Sequence, residues 1–176
     1  MDDSTSSDRR ALAVARHEAH AYAAGEERPL GSFLALMGTY GLGVAGLSAA
    51  VRARGTGLPE RLSWSDLGLV TVATHKLARL IAKDPVTSPL RAPFTTFAGT
   101  SGEAELAEEV RGTGPRKAIG ELVTCPFCVG QWVATGFVFG LVLAPRPTRL
   151  ATSVFTALAG ADALQLGYAK LQSWAT

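Results

Sequence analysis

Two cysteines three residues apart are the first side chains in this sequence that offer chemistry. Cys125 and Cys128 enclose Pro126 and Phe127 at the head of an apolar stretch that carries no charge as far as Ala144. Proline is favoured at the first position of a helix, and residues three apart share a helix face. The positive end of the helix also favours a thiolate. The spacing leaves three interpretations open: a redox pair, two metal ligands, or small residues that begin a helix.

Each interpretation of the cysteine pair makes a different demand on the rest of the chain. Redox turnover calls for a second thiol pair or a bound quinone, and the sequence has only two cysteines. Structural zinc needs four ligands. A zinc site would therefore require two copies of the chain to share Cys125 and Cys128 across a two-fold axis. The structural interpretation needs nothing further, and we favour it.

A second group of polar side chains lies within two apolar segments. Four basic residues of segment 64–83 fall in an arc about 100° wide at the helical period. These are His75, Lys76, Arg79 and Lys83. Asp162 and Gln165 lie in a later segment, 150–169. An unpaired Asp in mid-membrane costs about 2.5–3.5 kcal/mol on insertion scales, so we predict that Asp162 pairs with Arg79 or His75. A proton or ion relay, or a headgroup site formed by the basic arc, is the alternative.

A proline-rich stretch follows the first of these segments. Asp84 is expected to end a helix, because the prolines beyond it, including Pro89, cannot continue one. Arg91 is expected to return to Asp84 or to reach a lipid headgroup. Residues 103–111 are acidic and are predicted to form a short, solvated helix. The stretch is predicted to cap one end of a helical bundle.

Apolar helices are needed to position these side chains. The chain is 47% hydrophobic and 18% charged, with a mean hydropathy of +0.18. Soluble domains carry about 25% charged residues, and about 20 apolar residues cross a bilayer core. We predict an all-α fold, an integral membrane bundle of about four transmembrane helices with a cytoplasmic loop, 84–123, between helices two and three. The predicted spans are residues 32–51, 64–83, 125–144 and 150–169.

The basic residues outside the spans, together with Lys83 at the end of one span, predict an orientation. With four spans, ten Lys and Arg residues lie on the side that holds the tails 1–31 and 170–176 and the loop 84–123, and five lie on the other side. The positive-inside rule assigns the more basic side to the cytoplasm. We therefore predict a multi-pass membrane protein whose N and C termini are cytoplasmic.

The partners expected from the sequence are lipids and other helices. A net charge of +2, without a run of Lys or Arg, gives no reason to expect nucleic acid. Rows of small residues at Gly41, Ala45 and Ala49, and at Gly136 and Gly140, allow close helix approach and favour a homo-oligomer or a membrane partner. No phosphate-binding loop or zinc-protease motif is present, so we lean towards a non-enzymatic protein.

Two stretches of the sequence resemble the bacterial DUF1360 family. One runs from Ala73 to Asp84 and continues into Pro-Leu-Arg-Ala-Pro-Phe; the other runs from Glu121 to Trp132. The family consists of small membrane proteins without an assigned activity, and some members in spore formers are labelled sporulation proteins. The resemblance covers residues 64–169 and implies a location in the bacterial inner membrane, but no reaction.

Two functional predictions follow from the residues and the resemblance together. The first is a non-enzymatic inner-membrane protein that assists a partner or binds anionic lipid through its basic arc. The alternative is a thiol-based redox or metal-binding membrane protein centred on Cys125 and Cys128, with zinc at a dimer interface as the candidate metal.

Overall fold

The chain is mostly helical in a computed structural model, which describes residues 3–55 and 57–175. The helices formed by these residues are α1 (Asp3–Ala23), α2 (Leu30–Ala53), α3 (Trp64–Lys83), α4 (Ser88–Arg91), α5 (Gly114–Thr124), α6 (Pro126–Leu143) and α7 (Pro145–Ala175). A short 3₁₀ turn, Pro85–Thr87, joins α3 to α4. Two strands, β1 (Thr95–Gly102) and β2 (Glu105–Val110), lie between α4 and α5.

The α3 helix lies at the centre of the bundle and packs against both α6 and α7. Its buried positions are mostly small, at Val70, Ala73, Ala78 and Ala82. Small side chains let neighbouring helices approach closely, and Gly130 of α6 lies against α3 for this reason. Ser63 begins α3 by accepting a hydrogen bond from the backbone N–H of Asp66 at 3.1 Å.

The helices of the bundle alternate in direction along the chain. Tyr40 of α2 hydrogen-bonds Thr135 of α6, and Arg54 at the end of α2 reaches the carbonyl of Leu143, so α2 and α6 run parallel. In the same way Thr156 of α7 donates to the carbonyl of Leu69 in α3, and these two helices also run parallel.

The α6 helix is antiparallel to α3. Gly130, near the start of α6, lies against Thr74 and Ala78 in the second half of α3. At the far end of α6, Gly140 lies against Thr148 in the first turn of α7. The polar connection from α3 to α6 and the beginning of α2 therefore share one end of the bundle, which we call the loop end.

Two of the described helices, α2 and α6, are long and apolar enough to cross a membrane. The other two predicted spans do not reach that hydropathy, so the four-span bundle is not confirmed. The α3 helix occupies the same residues as the predicted second span. The α7 helix has 31 residues, about 46 Å at 1.5 Å per residue, and so extends beyond segment 150–169 at both ends.

The predicted helical fold is confirmed for most of the chain, but the fold is not all-α, because the segment 84–123 contains a small antiparallel hairpin. β1 pairs with β2 from Thr95 opposite Val110 to Gly102 opposite Glu105, with two irregularities in register. The stretch 103–111, predicted as an acidic helix, forms the turn and β2 instead. Its partner strand is rich in Thr and contains Phe97, residue types that favour strands. Ion pairs to Arg side chains of α3 and α4, described below, then hold the acidic strand in place.

The remainder of segment 84–123 is also structured rather than a loop. The α5 helix buries Ala118 and Gly120 and leads into α6 after a single intervening residue. Three contacts attach α5 to the residues that immediately precede α2. Arg28 pairs with Glu121 at 3.0 Å, Lys117 donates to the carbonyl of Glu27, and the Gly114 N–H donates to the Glu27 carboxylate.

A candidate binding cleft between α3 and α7

A cleft of about 740 Å³ opens at the loop end between α3, α7 and the turn of the hairpin. Its lining includes all six polar side chains that the sequence singled out on the two apolar segments. They are His75, Lys76, Arg79, Lys83, Asp162 and Gln165. The structure thus brings together residues that are about 80 or more positions apart in the chain. We call this site the α3–α7 cleft.

Asp162 pairs with Lys76, not with Arg79 or His75 as the sequence led us to predict. The Lys76 Nζ and Asp162 Oδ2 atoms are 2.5 Å apart. Lys76 is half-buried between the two helices, while Arg79 lies one turn further along α3 and is exposed. The prediction placed Asp162 beside the correct part of α3 but chose the wrong residue, because the placement of α3 against α7 is not encoded in the periodicity of either helix.

Arg79 pairs instead with Glu105, the first residue of β2. This contact and the lining residues Glu103 and Ala104 bring the hairpin turn to the rim of the cleft. Sequence reasoning missed both glutamates as site residues, since it assigned them to a solvated helix. The acidic composition of this stretch was a signal, because its carboxylates are candidate partners for the basic arc of α3. Only the hairpin brings the two together.

The charges that line the cleft are mixed. Three cations, Lys76, Arg79 and Lys83, face four carboxylates, those of Asp84, Glu103, Glu105 and Asp162. Two cations and two carboxylates neutralise one another in the pairs just described. Lys83 is half-buried and makes no hydrogen bond or ion pair with any residue that the structure describes. The basic arc predicted from sequence is therefore balanced by acids from other elements.

Arg91 is fully buried between the end of α3 and β2 and contacts both. We call this side chain and its contacts the Arg91 clamp. The Arg91 side chain is 0% exposed, and that of its partner Glu108 in β2 is 7% exposed. The guanidinium donates to Glu108 Oε2 at 2.5 Å, to the carbonyl of Ile81 at 2.7 Å and to the carbonyl of Asp84 at 3.1 Å. Of the two predicted contacts, the return to Asp84 is made through the backbone. The second predicted contact, with a lipid headgroup, is not made, because the Arg91 side chain is fully buried.

Asp84 and Pro89 shape the turn that carries Arg91. Asp84 has an extended backbone that ends α3, and its Oδ1 accepts a hydrogen bond from the N–H of Val86 at 2.9 Å. Pro89 occupies the first turn of α4, where a missing N–H costs nothing. Thr87 also accepts from Arg91 at 2.7 Å. The proline-rich motif therefore folds the chain back so that Arg91 reaches the end of α3.

The two cysteines lie at the start of α6, where Cys125 is the cap residue, and neither of them lines the cleft. Cys125 precedes the helix with an extended backbone, and its Sγ accepts a hydrogen bond from the Cys128 N–H at 3.3 Å. Both thiols are free; Cys125 is half-buried and Cys128 is exposed. Among the described residues no group of three or more His, Cys, Asp or Glu is arranged to hold a metal. The geometry fits the helix-entry interpretation, and the redox and zinc interpretations stay predictions.

Comparison with known proteins identifies the family to which this arrangement belongs. Residues 69–168 match the family described as "Protein of unknown function (DUF1360)". The chain is also similar to "Sporulation protein YjcA" of Bacillus subtilis (strain 168), with 38% identity over 84 residues, or 46% of this chain and 71% of that relative. No solved structure matches. The matched region contains α6, most of α3 and α7, and the hairpin between them, and the chain is a member of the DUF1360 family.

Proposed function

We propose that this chain is an integral membrane protein that binds the headgroup of a phospholipid in the α3–α7 cleft and performs no chemical step there. The observation that carries the proposal is Lys83. It is a half-buried cation in the cleft, and none of the described residues pairs with it. Desolvating a charge without a partner costs free energy, so a phosphate at this position would compensate that cost.

The same proposal includes a bundle of four membrane spans, α2, α3, α6 and α7. Two observations support it. These helices alternate in direction, as consecutive spans must. Two ion pairs also join the two helices, Asp66 with Arg149 at 2.8 Å and Lys76 with Asp162 at 2.5 Å, and these pairs involve charges that lower the hydropathy of α3 and α7. Paired charges that face a bundle interior are tolerated at membrane depth far better than single ones.

The place of the cleft in such a bundle suits a lipid. It opens at the loop end, which the positive-inside rule assigns to the cytoplasmic surface of a bacterial inner membrane. Its α7 wall is mostly apolar, formed by Ala159, Ala163, Leu166 and Ala169. An acyl chain can lie along this wall while the headgroup reaches the charged α3 face.

Native mass spectrometry of the full chain in detergent tests the proposal directly. Protein incubated with an excess of a mixed phospholipid extract should retain one lipid more often than the Lys83→Ala variant does. Lys83→Gln, which preserves most of the side-chain volume, should lose the lipid as Lys83→Ala does. Arg146→Ala is the matched control, since Arg146 lies at the opposite end of the bundle and is exposed. Equal lipid retention by all four proteins would refute the proposed function.

A further inference from the structure

The charges left unpaired in the α3–α7 cleft indicate which headgroup it selects. When the two internal ion pairs are set aside, the lining keeps one cation, Lys83, and two carboxylates, Asp84 and Glu103. A purely anionic headgroup would be attracted by Lys83 and repelled by both carboxylates. A headgroup that joins a phosphate to an ammonium group matches all three charges.

We propose that the cleft selects an aminophospholipid with a primary ammonium group. Its phosphate binds Lys83, and its ammonium binds Glu103 and Asp84. This inference rests on the proposed function above and specifies its ligand. It also differs from the anionic-lipid prediction made from the basic arc alone, because the hairpin turn supplies carboxylates that the periodicity of α3 does not contain.

The two carboxylates are available to a ligand. One oxygen of Asp84 accepts the N–H of Val86 at 2.9 Å, and its other oxygen has no hydrogen-bond partner in the described part of the chain. Glu103 is exposed at the hairpin turn and pairs with no described residue. A primary ammonium has three N–H donors and can bind both carboxylates, whereas a quaternary ammonium has none. The cleft should therefore discriminate ethanolamine from choline.

The ligand is a lipid rather than a small soluble ester of the same chemistry. Opposite the charged side of the cleft, Leu166 is 54% exposed, and Ala163 and Ala169 continue the same wall. Apolar surface of this kind contributes to binding only when an apolar chain covers it. A soluble phosphoethanolamine ester would make the charged contacts and leave the wall unused.

The test is a competition measured by native mass spectrometry on the detergent-purified full chain. Phosphatidylethanolamine, phosphatidylglycerol and phosphatidylcholine with identical acyl chains are supplied at equal concentration. Wild type should retain phosphatidylethanolamine about fivefold over each of the others, the preference expected of one half-exposed ion pair. Glu103→Gln should reduce the preference over phosphatidylglycerol to about twofold or less. Glu60→Gln, at the opposite end of the bundle, should leave it unchanged.

A second variant and a soluble competitor complete the test. Asp84→Asn keeps an oxygen for the Val86 N–H, so it should reduce the preference without unfolding the turn. Glycerophosphoethanolamine should fail to displace the lipid. If it competes as well as the lipid does, the ligand is not a lipid and the inference is wrong. If wild type retains phosphatidylglycerol as well as phosphatidylethanolamine, the headgroup inference is wrong while the proposed function stands. If the Lys83→Ala variant retains lipid as well as wild type does, the headgroup inference and the proposed function are both wrong.

Discussion

Arg91 and Glu108 form a buried ion pair, 2.5 Å between Nε and Oε2, that attaches the hairpin to the end of α3. The same guanidinium donates to the carbonyls of Ile81 and Asp84 at the end of α3, to which Thr87 also donates. One side chain thus closes a helix, orients a turn and positions β2. Because β2 begins at Glu105 and Glu105 pairs with Arg79, this clamp also sets the rim of the α3–α7 cleft.

Loss of the Arg91 side chain should destabilise the protein strongly. Arg91→Ala leaves the buried carboxylate of Glu108 without its ion-pair partner, and removal of one member of a buried ion pair typically costs about 3–5 kcal/mol. Arg91→Lys should recover only part of this loss, because an ammonium lacks the planar fork that reaches all the acceptors. Thermal unfolding in detergent measures the effect. Arg146→Ala is the control, and an unchanged melting temperature for Arg91→Ala would contradict the clamp.

A double-mutant cycle should locate the partner of Asp162. Lys76→Met and Asp162→Asn together should cost less than the sum of the single changes, with a coupling of about 1 kcal/mol for a pair that is partly exposed. The corresponding cycle between Arg79 and Asp162 should show no coupling, because Arg79 pairs with Glu105. Equilibrium unfolding in detergent provides both values. Coupling in the second cycle and none in the first would restore the pairing predicted from sequence.

Gly120 of α5 should not tolerate a methyl group. A Cβ at this position would lie 2.6 Å from Cγ1 of Val110 and 3.1 Å from the backbone oxygen of Phe94. The valine can move, but the carbonyl cannot, so Gly120→Ala should cost about 1–3 kcal/mol despite its better helix propensity. Gly136→Ala in α6 is the matched control, since nothing lies within 4 Å of its added Cβ. Similar melting temperatures for the two variants would show that α5 does not pack against the hairpin in this way.

The two thiols should differ in reactivity and in structural role. Cys128 is exposed and Cys125 is half-buried and caps α6, so a maleimide should label Cys128 first. Cys125→Ser should retain the cap, because serine is a good acceptor for an N–H at a helix start, and Cys125→Ala should lower stability by about 1 kcal/mol. Mass spectrometry after timed labelling measures the first effect, and thermal unfolding the second. Purified protein two daltons light, or about half a zinc per chain, would instead favour the redox or metal interpretation.

The four-span arrangement predicts which connections an impermeant thiol reagent can reach. In a background with Cys125→Ser and Cys128→Ser, Glu60→Cys lies between α2 and α3 and Glu109→Cys lies on β2, and both positions are exposed. Intact cells should label the first and not the second, because the loop end is assigned to the cytoplasm. Permeabilised cells, in which both should react, are the control. Labelling of Glu109→Cys in intact cells would reject the proposed orientation.

Those parts of the protein that depend on local chemistry could be predicted from the amino-acid sequence. The apolar segments 32–51, 64–83 and 125–144 and the prolines beyond Asp84 correctly indicated helices over α2, α3 and α6, because length, apolar periodicity and turn residues act within a few neighbouring positions. The six polar side chains of α3 and α7 were also recognised, since charges are costly within apolar segments and therefore conspicuous there.

The remaining features depend on contacts between residues that are far apart in the chain. Whether 103–111 forms a helix or a strand depended on Arg79 and Arg91, which hold β2 through ion pairs that no local pattern records. The choice of Lys76 rather than Arg79 as the partner of Asp162 depended on how α3 and α7 are placed against each other. A relative shift of about one helical turn would exchange the two partners. Two of the carboxylates that change the cleft from cationic to mixed, Glu103 and Glu105, come from a hairpin at least 20 residues further along the chain. Charge balance at a site is a property of neighbours in space, and only the fold brings those neighbours together.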